Sequence, residues 1–384
     1  MSHPLPTPPA SASAVHWNDP ARQSAFEAWL VPLTAAQGLL PASLRPASAD
    51  ASFRRYLRLD AQDGASRIVM DAPPDKEDCH AFVHVQGLMQ AAGLPVPQVL
   101  AWDQAHGFML LSDLGAQTAI ERLDPAKPQD AYAWYLQAVD LLIDWQRASR
   151  PGVLPAYDDA LLRRELQLFP DWYIARHRQA VLTDTQQNTL AKAFNVIVAH
   201  NLQAPSVYVH RDFMMRNLMV MGAAPAGAHF AVGRPAGETD GRLGVLDFQD
   251  AVYGPVTYDI ASLMRDAFIS WEEDFVIDIT VRYWEKARRA GILGAASASG
   301  WGADFGEFYR AVDFMALQRH LKVAGVFARL TLRDGKPKYL ADAPRFITYI
   351  RQTAARYREL TPLLRLVDEL EGTQAAMGYA FGRV

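Results

Sequence analysis

The sequence predicts an α+β protein with a small mixed N-terminal lobe and a larger, mainly helical C-terminal lobe. Three observations predict this fold class. Strand-like segments separated by turn-forming residues concentrate before residue 113. From Gln117 onward, apolar residues recur mostly at three- and four-residue spacings, which is typical of amphipathic helices. A chain of 384 residues, 50% of them hydrophobic, is long enough to bury two cores.

The N-terminal lobe is expected to span residues 16–113, behind a disordered Pro/Ala/Ser-rich tail at residues 1–15. Within this lobe the apolar pattern predicts a helix, two strands, a second helix and two more strands. The turn-forming run DAQDGA separates the first pair of strands, and His106-Gly107 separates the second. The predicted segments are, in chain order, Ala21–Leu33, Phe53–Leu59, Ser66–Met70, Asp75–Ala92, QVLAWD and GFMLLSDLG.

The C-terminal lobe is expected to span residues 114–384 and to be mainly helical. Segments such as DAYAWYLQAVDLLIDWQRA and FGEFYRAVDFMALQRHLKVAGVFARL place apolar residues at helical spacing. On the second of these helices, His320 and Lys322 are expected to be solvated or at the edge of the core, and the alternative is that they lie near the site. A strand-rich island interrupts the helices at VYVHRD, NLMVM and LGVLDF. The stretch Gly222–Gly241, rich in Ala, Gly and Pro, is predicted to be a floppy loop in this island.

The composition excludes several classes of protein. Charged residues make up 21% of the chain and the net charge is −4, which argues against a binder of nucleic acids or anionic membranes. No apolar run approaches the roughly 18 residues of a membrane-spanning helix, and the N-terminus does not resemble a signal peptide. Cys79 is the only cysteine, so no disulfide can form within the chain. We therefore expect a cytoplasmic protein with neither a nucleic-acid nor a membrane partner.

One motif in the strand-rich island carries chemistry. His210-Arg211-Asp212 is followed after four residues by Asn217, which matches the kinase catalytic loop H-R-D-x-x-x-x-N. Thirty residues later, an apolar strand delivers Asp247 where it ends. Phosphoryl transfer from ATP needs a carboxylate that positions and deprotonates the accepting hydroxyl, and oxygen ligands that hold Mg²⁺ against the phosphates. Asp212 suits the first task, and Asn217 and Asp247 suit the second.

A purely structural interpretation is that His210 and Asp212 cap a β-turn and that Asp247 begins an ordinary loop. An H-x-D triplet alone is common by chance. The full H-R-D-x-x-x-x-N pattern between two apolar strands, with a further aspartate at a strand end, is much rarer. The pattern therefore favours a phosphotransferase that uses ATP and Mg²⁺.

The segments HRDFMMRN and VLDFQDAVYGPVTYDIASL resemble the aminoglycoside phosphotransferase and choline-kinase superfamily, whose fold is similar to that of protein kinases. SFRRYLRL, VMDAPPDKED and LFPDWYIARH are similar to one branch, the anomeric kinases of bacterial cell-wall recycling. The resemblance implies a bilobal protein-kinase-like fold. It also implies ATP-dependent phosphorylation of the 1-hydroxyl of N-acetylmuramic acid and N-acetylglucosamine in peptidoglycan recycling. We expect a monomer whose partners are ATP and a small amino sugar.

The resemblance also assigns roles to residues around the motif. It implies a catalytic set of Asp212 as the base with His210 and Arg211, and a metal-binding set of Asn217 and Asp247. Asp259 matches a carboxylate that supports the catalytic loop, by pairing with Arg211 or His210. The alternative for Asp259 is that it caps a helix starting at Ile260.

The nucleotide site departs from the kinase pattern in two ways. No G-x-G-x-x-G is present, so Ser52 and nearby backbone N–H groups are expected to cradle the phosphates. Met70 stands where kinases carry a strand lysine. Because an arginine fork suits phosphate oxygens, the missing charge is expected from one of Arg54, Arg55, Arg58 and Lys76. Our choice is Arg55, which lies nearest the cradle on a strand face shared with apolar neighbours.

The adenine base is expected to pair with backbone groups between Leu111 and Asp113, at the end of the last predicted strand of the N-terminal lobe. The alternative is that this segment is an ordinary hairpin strand followed by a turn. The predicted nucleotide-binding set is therefore Ser52, Arg55, Arg58, Leu111 and Asp113.

The sugar site is predicted at LFPDWYIARH, where aromatic faces lie beside a cation that would suit a lactyl carboxylate. The predicted substrate-binding set is Trp172, Tyr173, Arg176, Gln249 and Asp250. The alternative is that the aromatic residues belong to the core, which is the more common position for aromatic residues at helical spacing.

Two other functions stay open from the sequence. One is a different small-molecule kinase of the same fold, acting on an aminoglycoside, choline or homoserine. Aminoglycosides are polycations, whereas LFPDWYIARH is as cationic as it is anionic. The other is a pseudokinase that acts as a binding module, which the missing strand lysine favours and the presence of Asp212, Asn217 and Asp247 disfavours.

Overall fold

An antiparallel sheet precedes a group of helices along the chain. The structure is a computed structural model, which describes residues 15–49, 53–222, 241–294 and 300–373. Ser52 and nearly all of the predicted tail and of the predicted floppy loop lie outside the described residues. Contacts divide the chain into two compact units. The first unit comprises the described parts of Met1–Thr118, Met219–Ala231 and Asp240–Gln249, and the second comprises those of Ala119–Leu218, Val232–Thr239 and Asp250–Val384.

The helices and strands follow the order that the sequence predicts, with a few additions. The principal elements are α1 (Pro20–Ala36), β1 (Leu39–Ala49), β2 (Arg55–Ala61), β3 (Ser66–Asp71), α2 (His80–Ala91), β4 (Val99–Asp103), β5 (Phe108–Ser112), α3 (Pro128–Arg147), α4 (Asp159–Leu166), a π-helix (Phe169–His177), α5 (Asp184–Asn201), β6 (Ser206–Val209), β7 (Leu218–Met221), β8 (Arg242–Val245), β9 (Val252–Pro255), α6 (Thr257–Met264), α7 (Glu273–Arg289), α8 (Phe305–Leu332), α9 (Ala343–Arg356) and α10 (Thr361–Glu371).

The sheet of the first unit has five antiparallel strands in the order β1-β2-β3-β5-β4. The structure confirms the predicted hairpins and both predicted helices of this region, although α2 begins at His80 where the predicted helix began at Asp75, and it adds β1 at one edge. Pro41 and Pro46 interrupt the apolar alternation of β1, and prolines in sheets are confined to edge strands and bulges.

Helix α1 covers one face of this sheet. Phe26 and Leu30 of α1 lie in one buried cluster with Leu57 and Leu59 of β2 and with Phe108 of β5. The period-two alternation of β2 directs every second side chain toward α1. Burial of each such leucine contributes about 1.5–3 kcal/mol to folding, so this face of β2 is fixed by packing.

The register between β2 and β3 shows which side chains share a face of the sheet. Tyr56 pairs with Met70, and Arg55 pairs with Asp71. Directly opposed residues of an antiparallel pair project from the same face. Met70 and Tyr56 therefore lie on one face, while Arg55 lies with Leu57 on the face that α1 covers.

The first unit also contains β7 and β8, which form a two-stranded sheet. The backbone N–H of Val220 donates to the carbonyl of Gln117 at 2.8 Å, and that of Val245 to the carbonyl of Pro95 at 2.7 Å. These bonds attach the strands to the end of the sheet region, so the segment that follows β8 and carries Asp247 belongs to the first unit.

The second unit is mainly helical and contains the short antiparallel pair β6–β9. All eight residues of α6 are buried, and α8 runs for 28 residues through the unit. No helix within residues 15–49, 53–222, 241–294 and 300–373 is long and apolar enough to cross a membrane.

Candidate active site

The loop after β6, residues 210–217, is closed by its own hydrogen bonds. The Nδ2 amide of Asn217 donates to the backbone carbonyl of Asp212 at 2.9 Å, and the backbone N–H of Asn217 donates to the carbonyl of Met214 at 2.9 Å. His210 is fully buried, and its Nδ1 accepts from the backbone N–H of Asp212 at 3.3 Å. Because Nδ2 of Asn217 points inward, Oδ1 is the atom of this amide that could serve as a metal ligand. The half-buried Asp212 is thus presented on a closed loop.

Asp259 holds this loop through the backbone. Its Oδ2 accepts from the N–H of His210 at 2.7 Å, and its Oδ1 accepts from the N–H of Arg211 at 3.0 Å. Burial raises the pKa of Asp259 to about 7, although the two backbone hydrogen bonds act in the opposite direction. Asp259 contacts this loop through backbone amides, where pairing with a side chain was expected. The capping alternative is wrong, because α6 begins at Thr257 and Asp259 lies inside its first turn.

The Arg211 side chain pairs with a different carboxylate. Its Nη2 lies 2.5 Å from Oε1 of Glu165 on α4. Glu165 also accepts from the hydroxyl of Tyr157 and lies 3.0 Å from Nζ of Lys322 on α8. Lys322 donates in turn to the hydroxyl of Tyr258 at 3.1 Å. We call these five residues, Tyr157, Glu165, Arg211, Tyr258 and Lys322, the Glu165 cluster.

The Glu165 cluster is an ionic arrangement inside the second unit. Burial alone would raise the pKa of Glu165, but Lys322 and Arg211 lower it below its ordinary value. Burial alone would lower the pKa of Lys322, but Tyr258, Glu165 and Asp212 raise it. Lys322 therefore stays charged, and its side chain is only 15% exposed. The expectation of a solvated or core-edge Lys322 missed this role, since only tertiary packing joins α4 and α8.

Backbone strain marks two of the predicted site residues. Among the residues that the structure describes, three non-glycine residues have positive φ, and two of them are Arg211 at 77° and Asp247 at 64°. Such conformations cost about 1–3 kcal/mol and cluster at functional sites. In the first unit, Phe248 is fully buried against Phe82 of α2, with ring centroids 4.9 Å apart. This anchor leaves Asp247 exposed, and Nε2 of Gln249 donates to its Oδ1 at 3.0 Å.

The choice of Arg55 as the replacement for the strand lysine is not supported by the geometry. Nε and Nη2 of Arg55 donate to Oδ2 of Asp71 at 3.0 and 2.6 Å, and its guanidinium lies 4.0 Å from the ring centroid of Trp17. Asp71 is also paired with Arg22 of α1. Arg55 therefore lies on the α1 face of the sheet, opposite the face that carries Met70. The sequence showed that the two faces differ but not which of them α1 covers.

Arg58 and Asp113, both predicted to contact the nucleotide, bind each other. Nε of Arg58 donates to Oδ2 of Asp113 at 2.6 Å, and Nη2 donates to the carbonyl of Gly115 at 2.6 Å. The Asp113 carboxylate also accepts from Ser66 at 2.6 Å. These contacts hold Asp113 and Gly115, which follow β5, against β2 and β3. Leu111 is buried within β5, between its neighbours on β3 and β4, and the adenine contact stays a prediction.

The predicted sugar-binding residues differ in their surroundings. Tyr173 is buried, stacks on Phe169 with centroids 5.3 Å apart, and donates its hydroxyl to Glu371 at 2.9 Å. This packing leaves no aromatic face for a sugar, so Tyr173 is a core residue. Trp172 and Arg176 stay nearer the surface, where the guanidinium lies 4.7 Å from the indole centroid.

Two further residues of the substrate-binding prediction are consecutive in the chain, Gln249 in the first unit and Asp250 in the second. Gln249 uses its amide to hold Asp247. The side chain of Asp250 is exposed, and its backbone carbonyl lies 3.5 Å from Nη1 of Arg211. His320 of α8 is a core residue: it stacks on Tyr349 with centroids 4.7 Å apart, and burial lowers its pKa to about 3.

The π-helix packs closely on α8. A Cβ atom added at Gly325 would lie 2.3 Å from the carbonyl oxygen of Leu168, so glycine permits this approach. Because π-helices are frequent at functional sites, the exposed surface of the π-helix stays the candidate for sugar contacts.

The chain is similar to several known proteins. A family model described as "Phosphotransferase enzyme family" matches residues 43–293. The chain is 46% identical over 366 residues to the N-acetylmuramate/N-acetylglucosamine kinase of Pseudomonas aeruginosa, which covers 93% of this chain and 100% of that protein. It is 46% identical over 329 residues to the kinase of the same name from Neisseria meningitidis serogroup B, with coverage of 85% and 90%.

Two solved structures show the same fold at low sequence identity. A putative aminoglycoside phosphotransferase from Ralstonia eutropha is 13% identical with a TM-score of 0.57, covering 90% of this chain and 98% of that one. A choline kinase from Streptococcus pneumoniae is 10% identical with a TM-score of 0.55, covering 87% and 100%. At these identities the likeness concerns the fold alone.

Proposed function

Because this chain belongs to the phosphotransferase enzyme family, we propose that it transfers the γ-phosphoryl group of ATP to the anomeric 1-hydroxyl of N-acetylmuramic acid and N-acetylglucosamine. The predicted family resemblance and α+β protein-kinase-like fold are confirmed. The observation that carries the sugar assignment is the 46% identity, over 93% of this chain, with a kinase named for both sugars.

Asp212 is proposed as the group that accepts the proton of the 1-hydroxyl. The bond from Asn217 and the backbone bonds to Asp259 hold its loop in one shape, and the aspartate side chain is half-buried. A positioned general base contributes about 10²- to 10⁴-fold in rate. An anomeric hydroxyl is more acidic than an ordinary alcohol, so a carboxylate of modest basicity suffices.

Asn217 and Asp247 are proposed as the protein ligands of Mg²⁺. Both offer oxygen atoms, which this cation prefers, and Mg²⁺ keeps several waters and takes few ligands from the protein. When bound, the cation would neutralise charge on the β- and γ-phosphates. Phe248 anchors the backbone beside Asp247, and the amide of Gln249 orients one of its oxygens.

Trp172 and Arg176 are proposed to contact the sugar. A tryptophan face suits the apolar C–H face of a pyranose, and a guanidinium suits the lactyl carboxylate of N-acetylmuramic acid. Gln249 and Asp250 stay candidates for its hydroxyl groups. We further propose that the enzyme acts in the cytoplasm, as a monomer, in peptidoglycan recycling.

The test is a coupled ADP-release assay with a panel of acceptors. We expect turnover of N-acetylmuramic acid and N-acetylglucosamine, and none of choline or kanamycin, with Asp212→Asn as the inactive control. Preferential turnover of choline or kanamycin would overturn the sugar assignment. Absence of ATP turnover with every acceptor, by protein whose fold is verified by circular dichroism, would identify a pseudokinase.

A further inference from the structure

Arg54, directly before β2, and Arg55 and Arg58 within it each meet a carboxylate of the first unit, and alternation places Arg55 alone on the α1 face. Arg55 lies on the α1 face with Asp71. Arg58 is held by Asp113 and by the carbonyl of Gly115. Arg54 pairs with Glu77, which lies three residues before α2. Their surroundings therefore distinguish three candidates between which the sequence does not choose.

Arg54 lies on the side of the sheet that carries Met70. Strand alternation places it with Tyr56, and Tyr56 is the register partner of Met70. Helix α2, which follows Glu77, packs through Phe82 on Phe248. Phe248 is the residue directly after Asp247. Arg54 and the proposed metal ligand of the first unit thus belong to the same side of that unit, away from α1.

The contact with Glu77 is made at both the side chain and the backbone. Nη2 and Nε of Arg54 each lie 3.1 Å from Oε2 of Glu77, while the backbone N–H of Phe53 donates to Oε1 at 3.2 Å. The two side chains are only 10% and 13% exposed. Glu77 therefore orients the guanidinium of Arg54 and fixes the chain at the point where β2 begins.

The charge of Arg54 is maintained despite its burial. Burial alone would lower the pKa of Arg54, but Tyr56 and Glu77 raise it above its ordinary value. The planar, charged guanidinium matches the geometry of phosphate oxygens. Lys76, the remaining candidate, is exposed, and its ammonium lies 5.1 Å from the ring centroid of the exposed Phe53.

We propose that Arg54, oriented by Glu77, binds the phosphate groups of the nucleotide and replaces the strand lysine that Met70 displaces. Kinases use a strand lysine paired with a glutamate for this task, and here the cation comes from the start of the neighbouring strand. This inference rests on the proposed use of ATP but not on the identity of the sugar.

The test measures nucleotide binding without a sugar. Isothermal titration calorimetry with a non-hydrolysable ATP analogue and Mg²⁺ is applied to Arg54→Ala, Arg54→Lys and Glu77→Gln. We expect Arg54→Ala to weaken binding by about 10- to 100-fold, the range for loss of one charge-assisted hydrogen bond. Arg54→Lys should recover part of this loss, and Glu77→Gln should show a smaller one. Lys76→Ala, which removes an exposed cation next to Glu77, is the matched control and should bind as the wild type does.

The thermal unfolding midpoint of each variant separates binding from folding. If Arg54→Ala does not fold, the Arg54→Lys and Glu77→Gln variants decide the matter through their dissociation constants. Wild-type affinity in folded Arg54→Ala, or in both other variants, overturns the proposal. A large loss of nucleotide affinity in Arg55→Ala, at an unchanged thermal unfolding midpoint, overturns the proposal, because it would place the phosphates on the α1 face of the sheet. A wrong sugar assignment alters none of these values, whereas a wild-type protein that binds no nucleotide contradicts the proposed function itself.

Discussion

Replacing Asp259 with Asn should disturb the catalytic loop more than it disturbs the fold. The two carboxylate oxygens of Asp259 each accept one backbone N–H, from His210 at 2.7 Å and from Arg211 at 3.0 Å. An amide offers one oxygen and one NH₂ group in the same positions. One buried N–H then faces another donor and loses its partner.

The magnitude follows from that lost partner. A buried donor without a hydrogen bond costs about 1–3 kcal/mol. The Asp259 carboxylate also helps to hold Arg211 at its φ of 77°, a strained conformation that relaxes when its restraints are removed. If the cost falls on the active shape of the loop, the turnover number should drop about 5- to 150-fold, at 1.36 kcal/mol per factor of ten. The free energy of unfolding should change less, because the variant no longer buries an ionisable group.

The pH dependence provides a second signature. Since burial raises the pKa of Asp259 to about 7, the folded protein binds a proton that the unfolded chain releases near pH 4. The contribution of Asp259 to stability is therefore present below pH 4 and is lost as the pH rises toward 7. Both backbone bonds are best accepted by the ionised form, so turnover should rise through pH 7 in the wild type.

The assay is coupled ADP release from pH 5.5 to 8.5, with urea unfolding at pH 5 and pH 8. Asp184→Asn, an exposed aspartate in the first turn of α5, is the matched control and should behave as the wild type. Wild-type turnover in Asp259→Asn would refute the reasoning about the two amides. An unchanged rise through pH 7 would show that another group titrates there.

The remaining predictions concern the base, the metal, the sugar and the core. Asp212→Asn should keep its fold and nucleotide affinity but lose about 10²- to 10⁴-fold in turnover, and near-full activity would exclude it as the base. Asp247→Ala should abolish activity, and Asn217→Ala should raise the Mg²⁺ concentration needed for half-maximal rate. Full activity of Asp247→Ala at low millimolar Mg²⁺ would contradict the metal assignment. Arg176→Ala should raise the KM for N-acetylmuramic acid about tenfold, as for loss of one charged hydrogen bond, and leave that for N-acetylglucosamine little changed; equal effects would exclude contact with the lactyl carboxylate. Tyr173→Phe should lower the free energy of unfolding by about 0.5–1.5 kcal/mol, because the variant loses the hydrogen bond to Glu371. A raised KM for the sugar in this variant would show that Tyr173 does contact the sugar.

Much of the fold could be predicted because it depends on local pattern. Phe26 and Leu30 recur at helical spacing and form the buried face of α1. The turn at His106-Gly107 lies between β4 and β5 as expected. By contrast, β1 was missed because Pro41 and Pro46 interrupt its alternation.

The loop of residues 210–217 could be predicted because it is continuous in sequence, while most of the contacts that hold it could not. Asp259 was recognised from a resemblance, but its bonds go to backbone amides, which carry no sequence signature. Glu165 and Lys322 are separated by more than 150 positions and meet only through packing of α4 and α8. Nothing local distinguishes Glu165 from other charged residues of its helix.

The arginine that we propose to bind phosphate could not be predicted for a related reason. Alternation along β2 separates Arg54 from Arg55, but both faces of this strand carry a cation. The side covered by α1 is determined by Phe26 and Leu30, which lie more than twenty residues earlier. The local pattern therefore shows which side chains of the strand share a face, but it does not show which face α1 covers.

The position of the transferred phosphate tests the central claim most directly. The product made from N-acetylglucosamine and ATP is analysed by ³¹P and ¹H NMR, with the methyl 1-glycoside and the 6-deoxy sugar as matched acceptors. The account predicts phosphate on O1, no reaction of the methyl glycoside and normal reaction of the 6-deoxy sugar. Phosphate on O6, or turnover of the methyl glycoside, would contradict an anomeric kinase while leaving the phosphotransferase fold intact.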